Sequence, residues 1–474
     1  MVFNSVIFLV FFILFFQFYW LINNRLPVLC RNIFIILSSY LFYGWWDWRF
    51  LSLIFISSLS DYAIGLSLAH TQNKSGRKLL LILSLVINLG ILGFFKYFNF
   101  FVSSLQELLQ VFSLPVHIKT LSIILPVGIS FYTFQTLSYT IDIFNRKIQP
   151  TRDTVSFFAF VSFFPQLVAG PIERAGHLLP QFFGKKEFSY NFCVQGLRLI
   201  LWGLFKKIVI ADNLGILADA LFDTHQSVSG VTTLAGSLFF AFQIYADFSG
   251  YSDIAIGLSR MLGFDLMKNF KTPYFSPTFG EFWRRWHISL STWFRDYLYI
   301  PLGGNRKSAF RNQLNIIVTF LLSGLWHGAN ITFLIWGGLH GIALILEKWL
   351  KGKWNRLFYA PLVFMVVTLL WIPFRAENYN HFIVLSKSIF QFGSYSITTL
   401  YQTISNFSNI RFVVLSLVLV GFLSIEYHLR SDDFNEWIQK KPGFTRFTLY
   451  YAIVLLILLL GNFNVKPYFI YFQF

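Results

Sequence analysis

Apolar residues along this chain fall in blocks separated by short polar stretches. The blocks lie at 3–21, 31–46, 49–69, 79–102, 121–142, 154–170, 194–211, 232–262, 312–328, 331–350, 357–374, 410–427 and 447–463, with a marginal one at 382–394. A bilayer core about 30 Å thick is crossed by about 20 apolar residues in helical form. Inside it the backbone must satisfy its own hydrogen bonds. The pattern therefore predicts an all-α, polytopic integral membrane protein. It has roughly eleven to fourteen membrane helices in one transmembrane domain over 1–474. The first block, with Tyr19 and Trp20 at its end, is too long for a signal peptide, has no basic segment before it and no small-residue cleavage site after it, and reads as a retained helix.

One stretch breaks the pattern. Residues 269–312 are too polar for a lipid-facing span and hold Pro273, Pro277, Pro301 and the pair Gly303-Gly304. Trp, Tyr and Arg recur along it, which suits an interfacial or re-entrant segment packed against other helices.

Composition agrees with the pattern. Hydrophobic residues make up 55% of the chain and charged residues 12%, with 60 Phe, 22 Tyr and 14 Trp. Soluble domains carry about twice that share of charge. The net charge of +17 does not point to nucleic acid, because the basic residues sit between apolar blocks: Lys74-Arg77-Lys78, Arg146-Lys147-Arg152, Lys185-Lys186, Lys348-Lys351-Lys353-Arg356 and Lys440-Lys441-Arg446. That is the arrangement of cytoplasmic loops under the positive-inside rule. The two cysteines, Cys30 and Cys193, form neither a disulfide framework nor a zinc motif and read as core residues.

Ionisable groups inside apolar spans are costly, so each marks a candidate site. His327 lies between two apolar stretches, beside Trp326, Gly324 and Gly328, and Asn330 would orient its ring or bind a carbonyl. An imidazole suits deprotonation of a hydroxyl near neutral pH, although a satisfied core histidine is the plain alternative. Residues 281–299 carry Glu281, Arg284, Arg285, His287, Arg295 and Asp296. Read as a helix, they put His287 beside Arg284 and Ser291. The arginines would hold a phosphate or carboxylate, or else anchor lipid headgroups. Asp247 and Asp253 sit within a span and read either as ligands or, the favoured reading, as members of ion pairs, for which the arginines of 281–299 are candidates. Residues 163–181 read as a broken helix around Pro165, Gly170 and Pro171. His340 competes with His327, from which it is thirteen residues away. A metal centre is not expected, since no HxxxH-type spacing links His287, His327 and His340. No P-loop, Rossmann glycine pattern or G-x-S-x-G elbow is present.

The runs QIYADFSGYSDIAIGLSRMLGF, NFKTPYFSPTFGEFWRRWHISLSTWFRDYLYIPLGGNR and SGLWHGANITFLIWGGLHG closely resemble the membrane-bound O-acyltransferase (MBOAT) superfamily. LPVGISFYTFQTLSYTIDIF, FFPQLVAGPIERAGHLLPQ and LLWIPFRAE add to the likeness, and the signature-bearing core covers about 121–377. The resemblance is to the alginate and peptidoglycan O-acetylation branch, with the teichoic-acid D-alanylation proteins as cousins. It implies a ring of helices around a central tunnel, with His327 and His287 as the active-site histidines. It implies a cytoplasmic acyl donor, acetyl-CoA or an acyl carrier protein, and no tightly bound cofactor. It implies transfer toward the hydroxyls of an envelope or exported polysaccharide at the bacterial inner membrane, with an extracytoplasmic SGNH-type acetyltransferase partner. D-alanyl transfer is the rival within the same chemistry; a transporter or scaffold that does no chemistry is the rival outside it.

Overall fold

The computed structural model describes residues 1–114, 118–223, 228–350, 356–395, 397–404 and 409–462, so Lys351 and Lys353 of the fourth basic cluster lie outside the described residues. Among the described residues the regular structure is helical throughout. Among the described residues eight helical runs are long and apolar enough to cross a membrane. They are fewer than the apolar blocks because Val28–His70 forms one run out of two twenty-residue helices joined by a 3-10 turn. Other blocks form short or interrupted helices, such as Ile129–Phe144 and Thr154–Ser162. This is a multi-pass membrane protein. Its backbone packing divides into two compact units, Met1–Cys193 with Leu258–Met267, and Val194–Gly257 with Lys268–Phe474.

In the first unit, helix ends follow local chemistry. Ser5 accepts from the Phe8 N–H at the start of Val6–Arg25, and Pro27 separates that helix from Val28–Asp47. A buried polar cluster joins three helices, Leu51–His70, Lys74–Leu92 and Ile129–Phe144. The Asp61 carboxylate accepts hydrogen bonds from Ser84, from Thr140 at 3.0 Å and from the Asn88 amide at 2.8 Å. Polar groups that cannot reach water must find such partners. The 163–181 stretch is a broken helix, as expected: Phe164–Leu167 is helical, and the chain then turns at Gly170. A Cβ at Gly170 would fall 2.4 Å from the Gln166 Cα, so only glycine fits. Beyond the turn, His177 Nδ1 lies 2.7 Å from the buried Glu173 carboxylate and its Nε2 lies 3.5 Å from Asp265.

In the second unit, glycines set the helix spacing. A Cβ at Gly203 would fall 2.5 Å from the Gly250 carbonyl oxygen, and one at Gly257 would fall 2.6 Å from the Gly196 carbonyl oxygen. Two glycines seven residues apart on each helix thus bring antiparallel backbones into contact, a common device where lipid offers no hydrophobic drive. The same device joins Ala309–His327 to Ile331–Leu350: a Cβ on Gly324 would lie 2.1 Å from the Phe333 carbonyl oxygen, and one on Gly337 would lie 2.1 Å from that of Phe320. This hairpin carries His327 at the end of its first helix and His340 within its second.

Candidate active site

His327 ends its helix at the turn 328–330. A Cβ on Gly328 would lie 2.1 Å from the Phe333 ring, so the turn closes tightly only with glycine there. The imidazole is 2% exposed. Its ring centroid lies 5.0 Å from Trp326, 5.1 Å from Trp336, 5.5 Å from Phe374 and 6.3 Å from His287.

His287 is fully buried, with its ring 4.6 Å from Phe248 and 5.8 Å from Trp326. The sequence reading of 281–299 as one helix is corrected at this residue. Phe279–Arg285 and Ile288–Phe294 are separate helices, and His287 between them has φ 41° and ψ 56°, in the left-handed region. A side chain other than glycine pays roughly 1–3 kcal/mol for that geometry and holds it only where the surroundings demand it. They do so through Asn269. Its carbonyl accepts the Ile288 N–H at 2.8 Å, and its side-chain oxygen accepts the Ser289 hydroxyl at 2.6 Å. Its amide donates to Ser252 at 3.2 Å. Lys271 N–H donates to the Arg285 carbonyl at 3.0 Å, completing the brace. The break leaves Arg284 on the first helix and Ser291 on the second, where the Ser291 N–H donates to the His287 carbonyl at 2.9 Å.

His340 does not join the other two histidines. It stands across the Trp336 ring, 4.9 Å from it, and 4.9 Å from Trp283, and lies parallel to Phe282 at 6.2 Å. Neither of its ring nitrogens has a hydrogen-bond partner among the described residues. Among the described residues no group of three His, Cys, Asp or Glu side chains is arranged to hold a metal.

The remaining candidates take other parts. Asn330 caps Ile331–Leu350: its side-chain oxygen accepts the Thr332 N–H at 3.1 Å, and its amide donates to the Glu377 carbonyl at 2.7 Å. Both of these bonds go to backbone groups. Arg284 is exposed. Arg285 pairs with Glu281 and donates to Thr272 at 3.3 Å. Arg295 pairs with its neighbour Asp296 at 2.7 Å on an exposed turn. Asp247 and Asp253 are paired, as expected, but with lysines in place of arginines. Lys207 Nζ lies 2.9 Å from Asp247 and 2.9 Å from Asp212, and Lys206 Nζ lies 2.7 Å from Asp253. Both lysines belong to a π-helical turn, Phe205–Ala211, which the glycine contact at Gly203 holds against Gly230–Met261.

Two further supports escaped the sequence reading. Glu347 reaches back from Ile331–Leu350 and accepts the N–H groups of Phe279 and Gly280 at 2.8 and 2.9 Å, an anion at the positive end of a helix. Tyr245 donates its hydroxyl to the buried Glu426. Lys206 and Lys207, inside the 194–211 block, were passed over as well, and the cost of intramembrane charge is the signal that could have found them.

Residues 148–362 match the family model for MBOAT, the membrane-bound O-acyltransferase family. The chain is 41% identical over 438 residues to "Probable alginate O-acetylase AlgI" of Pseudomonas putida, covering 91% of this chain and 89% of that protein. It is 35% identical over 458 residues to the peptidoglycan O-acetyltransferase of Helicobacter pylori, covering 86% of each. It is 26% identical over 278 residues to the teichoic acid D-alanyltransferase of Bacillus subtilis, covering 54% of this chain and 70% of that protein. Matches this extensive at this identity show that the chain belongs to the membrane-bound O-acyltransferase family.

Proposed function

We propose that this O-acyltransferase moves an acetyl group from a cytoplasmic thioester, acetyl-CoA or an acetylated carrier, to a hydroxyl of an envelope or exported polysaccharide. The work is done at the bacterial inner membrane, either directly or by way of an extracytoplasmic SGNH-type partner. The observation that carries this reading is the enclosure of His327, at 2% exposure, in a shell of aromatic rings with a second imidazole 6.3 Å away. In the step we propose, His327 takes the proton of the acceptor hydroxyl. The oxygen attacks the thioester carbonyl, and the carbon–sulfur bond breaks. The thiolate leaves and is protonated in turn. A dry aromatic pocket keeps water from competing for the thioester. His287, held by its strained backbone, would fix the geometry or carry the proton onward. The two O-acetylating relatives support acetyl over D-alanyl, since their likeness extends over most of the chain.

The test is complementation of a null strain with wild type and with His327→Ala at matched membrane levels, reading ester-linked acyl groups released from glycans by mild alkali. Loss of the ester with an inserted, folded variant supports catalysis, and the released acid names the acyl group. An unchanged ester level would favour a transporter or scaffold.

A further inference from the structure

Two adjoining cavities run along one flank of the second unit, sharing Tyr274, Phe275, Phe364, Tyr427 and His428. The inner one, about 530 Å³, is completed by apolar side chains such as Phe242, Val420 and Leu423. The outer one, about 880 Å³, adds Glu281, Arg285 and Arg430 at its mouth. Both volumes fall within the range of roughly 300–1,000 Å³ usual for small-molecule sites. Val420 is 63% exposed and Tyr427 51% exposed, so this flank opens toward the surroundings of helix Asn409–His428. For a membrane helix those surroundings are lipid.

The mouth carries a charge that its neighbours do not neutralise. Glu281 is taken by Arg285, Asp432 by Lys440 at 2.8 Å and Asp433 by Lys268 at 3.0 Å. Arg430 forms no ion pair among the described residues. Its guanidinium carbon instead lies over the Tyr427 ring, 3.6 Å from the centroid, and 5.9 Å from that of Phe275, while its Nε donates to the Tyr427 carbonyl at 2.9 Å. A planar guanidinium held over an aromatic ring, with its outer N–H groups unspent, is matched to a phosphate. The basic cluster Lys440, Lys441 and Arg446 follows directly in the chain, which sets this end of the helix at a positively charged interface, where anionic lipids gather.

We propose that this groove is a binding site for an anionic glycerophospholipid of the surrounding bilayer. One acyl chain fills the apolar cavity among Phe242, Val420 and Leu423, and the phosphate lies against Arg430. The polar mouth and the apolar floor are in the order an amphiphile requires, and none of Trp326, Trp336, Phe374 and His287, the rings around His327, lines either cavity. The lipid would brace helix Asn409–His428 against Arg356–Arg375 and Tyr274, whose ring also meets Trp286 at 5.9 Å.

The test uses the full chain purified in mild detergent. Native mass spectrometry reads retained lipid, and thermal unfolding is followed with added phosphatidylglycerol, phosphatidylcholine or coenzyme A. The expected result is a retained anionic phospholipid and a larger rise in Tm with phosphatidylglycerol than with phosphatidylcholine. Arg430→Gln should abolish that preference. Leu423→Trp, which fills the apolar cavity, should abolish retention while the protein stays monodisperse. Equal responses to the two lipids in wild type, or retention unchanged in both variants, would overturn the proposal. Protection by coenzyme A alone, lost in Arg430→Gln, would also overturn it and assign the mouth to the acyl donor, leaving the reading of His327 intact.

Discussion

Histidine is used in opposite ways in the two units. In the first, His177 stands in the short helix Ala175–Leu178 with a carboxylate at each ring nitrogen, Glu173 at 2.7 Å and Asp265 at 3.5 Å. Those hydrogen bonds, the one to Asp265 foremost, push its pKa up to about 10, so it remains a cation at neutral pH. In the second, His287 and His327 are ringed by Phe248, Trp326, Trp336 and Phe374. Three intramembrane acids of that unit are held by lysines, Asp247 and Asp212 by Lys207 and Asp253 by Lys206. An imidazole clasped by carboxylates is a fixed charge and a structural tie. An imidazole in an aromatic shell is the arrangement for which we propose the part of proton acceptor. Which residue type is present says little; what surrounds it decides between lock and base.

The comparison breaks most sharply at the histidines themselves. Removing a general base costs about 10²–10⁴-fold in rate. His327→Ala should therefore reduce ester formation by at least that range, while His177→Ala at matched expression should leave it within a few-fold of wild type. Equal losses from both would end the distinction between base and lock.

A second test removes a lysine that keeps acids occupied. Lys207→Met leaves Asp247 and Asp212 without their cation in a buried setting. Breaking a buried pair by removing one partner costs about 3–5 kcal/mol. The expected outcome is a large fall in folded membrane yield and in Tm, with Lys207→Met/Asp247→Asn/Asp212→Asn recovering much of it. A single variant as stable as wild type would show that the pairs contribute nothing to holding Phe205–Ala211 against Gly230–Met261.

The membrane class was legible because lipid imposes it residue by residue: apolar blocks of spanning length can form little else. That Asp247 and Asp253 must be paired was legible for the same reason, but the partner was not. Lys206 and Lys207 sit inside an apolar block whose average hides them, whereas the arginines of 281–299 stand in plain view. The break at His287 could not be read locally. Neither Gly nor Pro marks residues 286–287, and the left-handed turn is imposed by Asn269, about twenty residues earlier in the chain, through bonds to Ile288 and Ser289. The histidine pair came from resemblance to a family. Its closeness, 6.3 Å between ring centroids, is a tertiary contact that spacing alone does not reveal.

Asn330 offers a smaller test of the same principle, that partners define the part. As a cap it contributes about 0.5–2 kcal/mol. Asn330→Ser, which can still accept the Thr332 N–H, should lower Tm slightly and leave ester formation near wild type. A large loss of rate at unchanged Tm would place the amide in the reaction after all.

The smallest effect, and the cleanest in sign, is the pH response of the His177 tie. Its folded pKa, about 10, lies above the ordinary value of 6.5. The folded state therefore binds the proton more tightly than the unfolded chain does, and stability must fall wherever the unfolded chain has lost that proton and the folded protein is losing it. The contribution is complete below about pH 6.5, shrinks steadily above it and is gone beyond about pH 10. Because the ring is 39% exposed and Asp265 is 69% exposed, solvent screening limits the effect to at most about 1 kcal/mol. Tm measured from pH 6 to pH 10.5 should thus fall more steeply for wild type than for His177→Gln, with the two curves converging at the alkaline end. Parallel curves would mean that His177 carries no charge in the folded protein, and the contrast with His327 would then rest on burial alone.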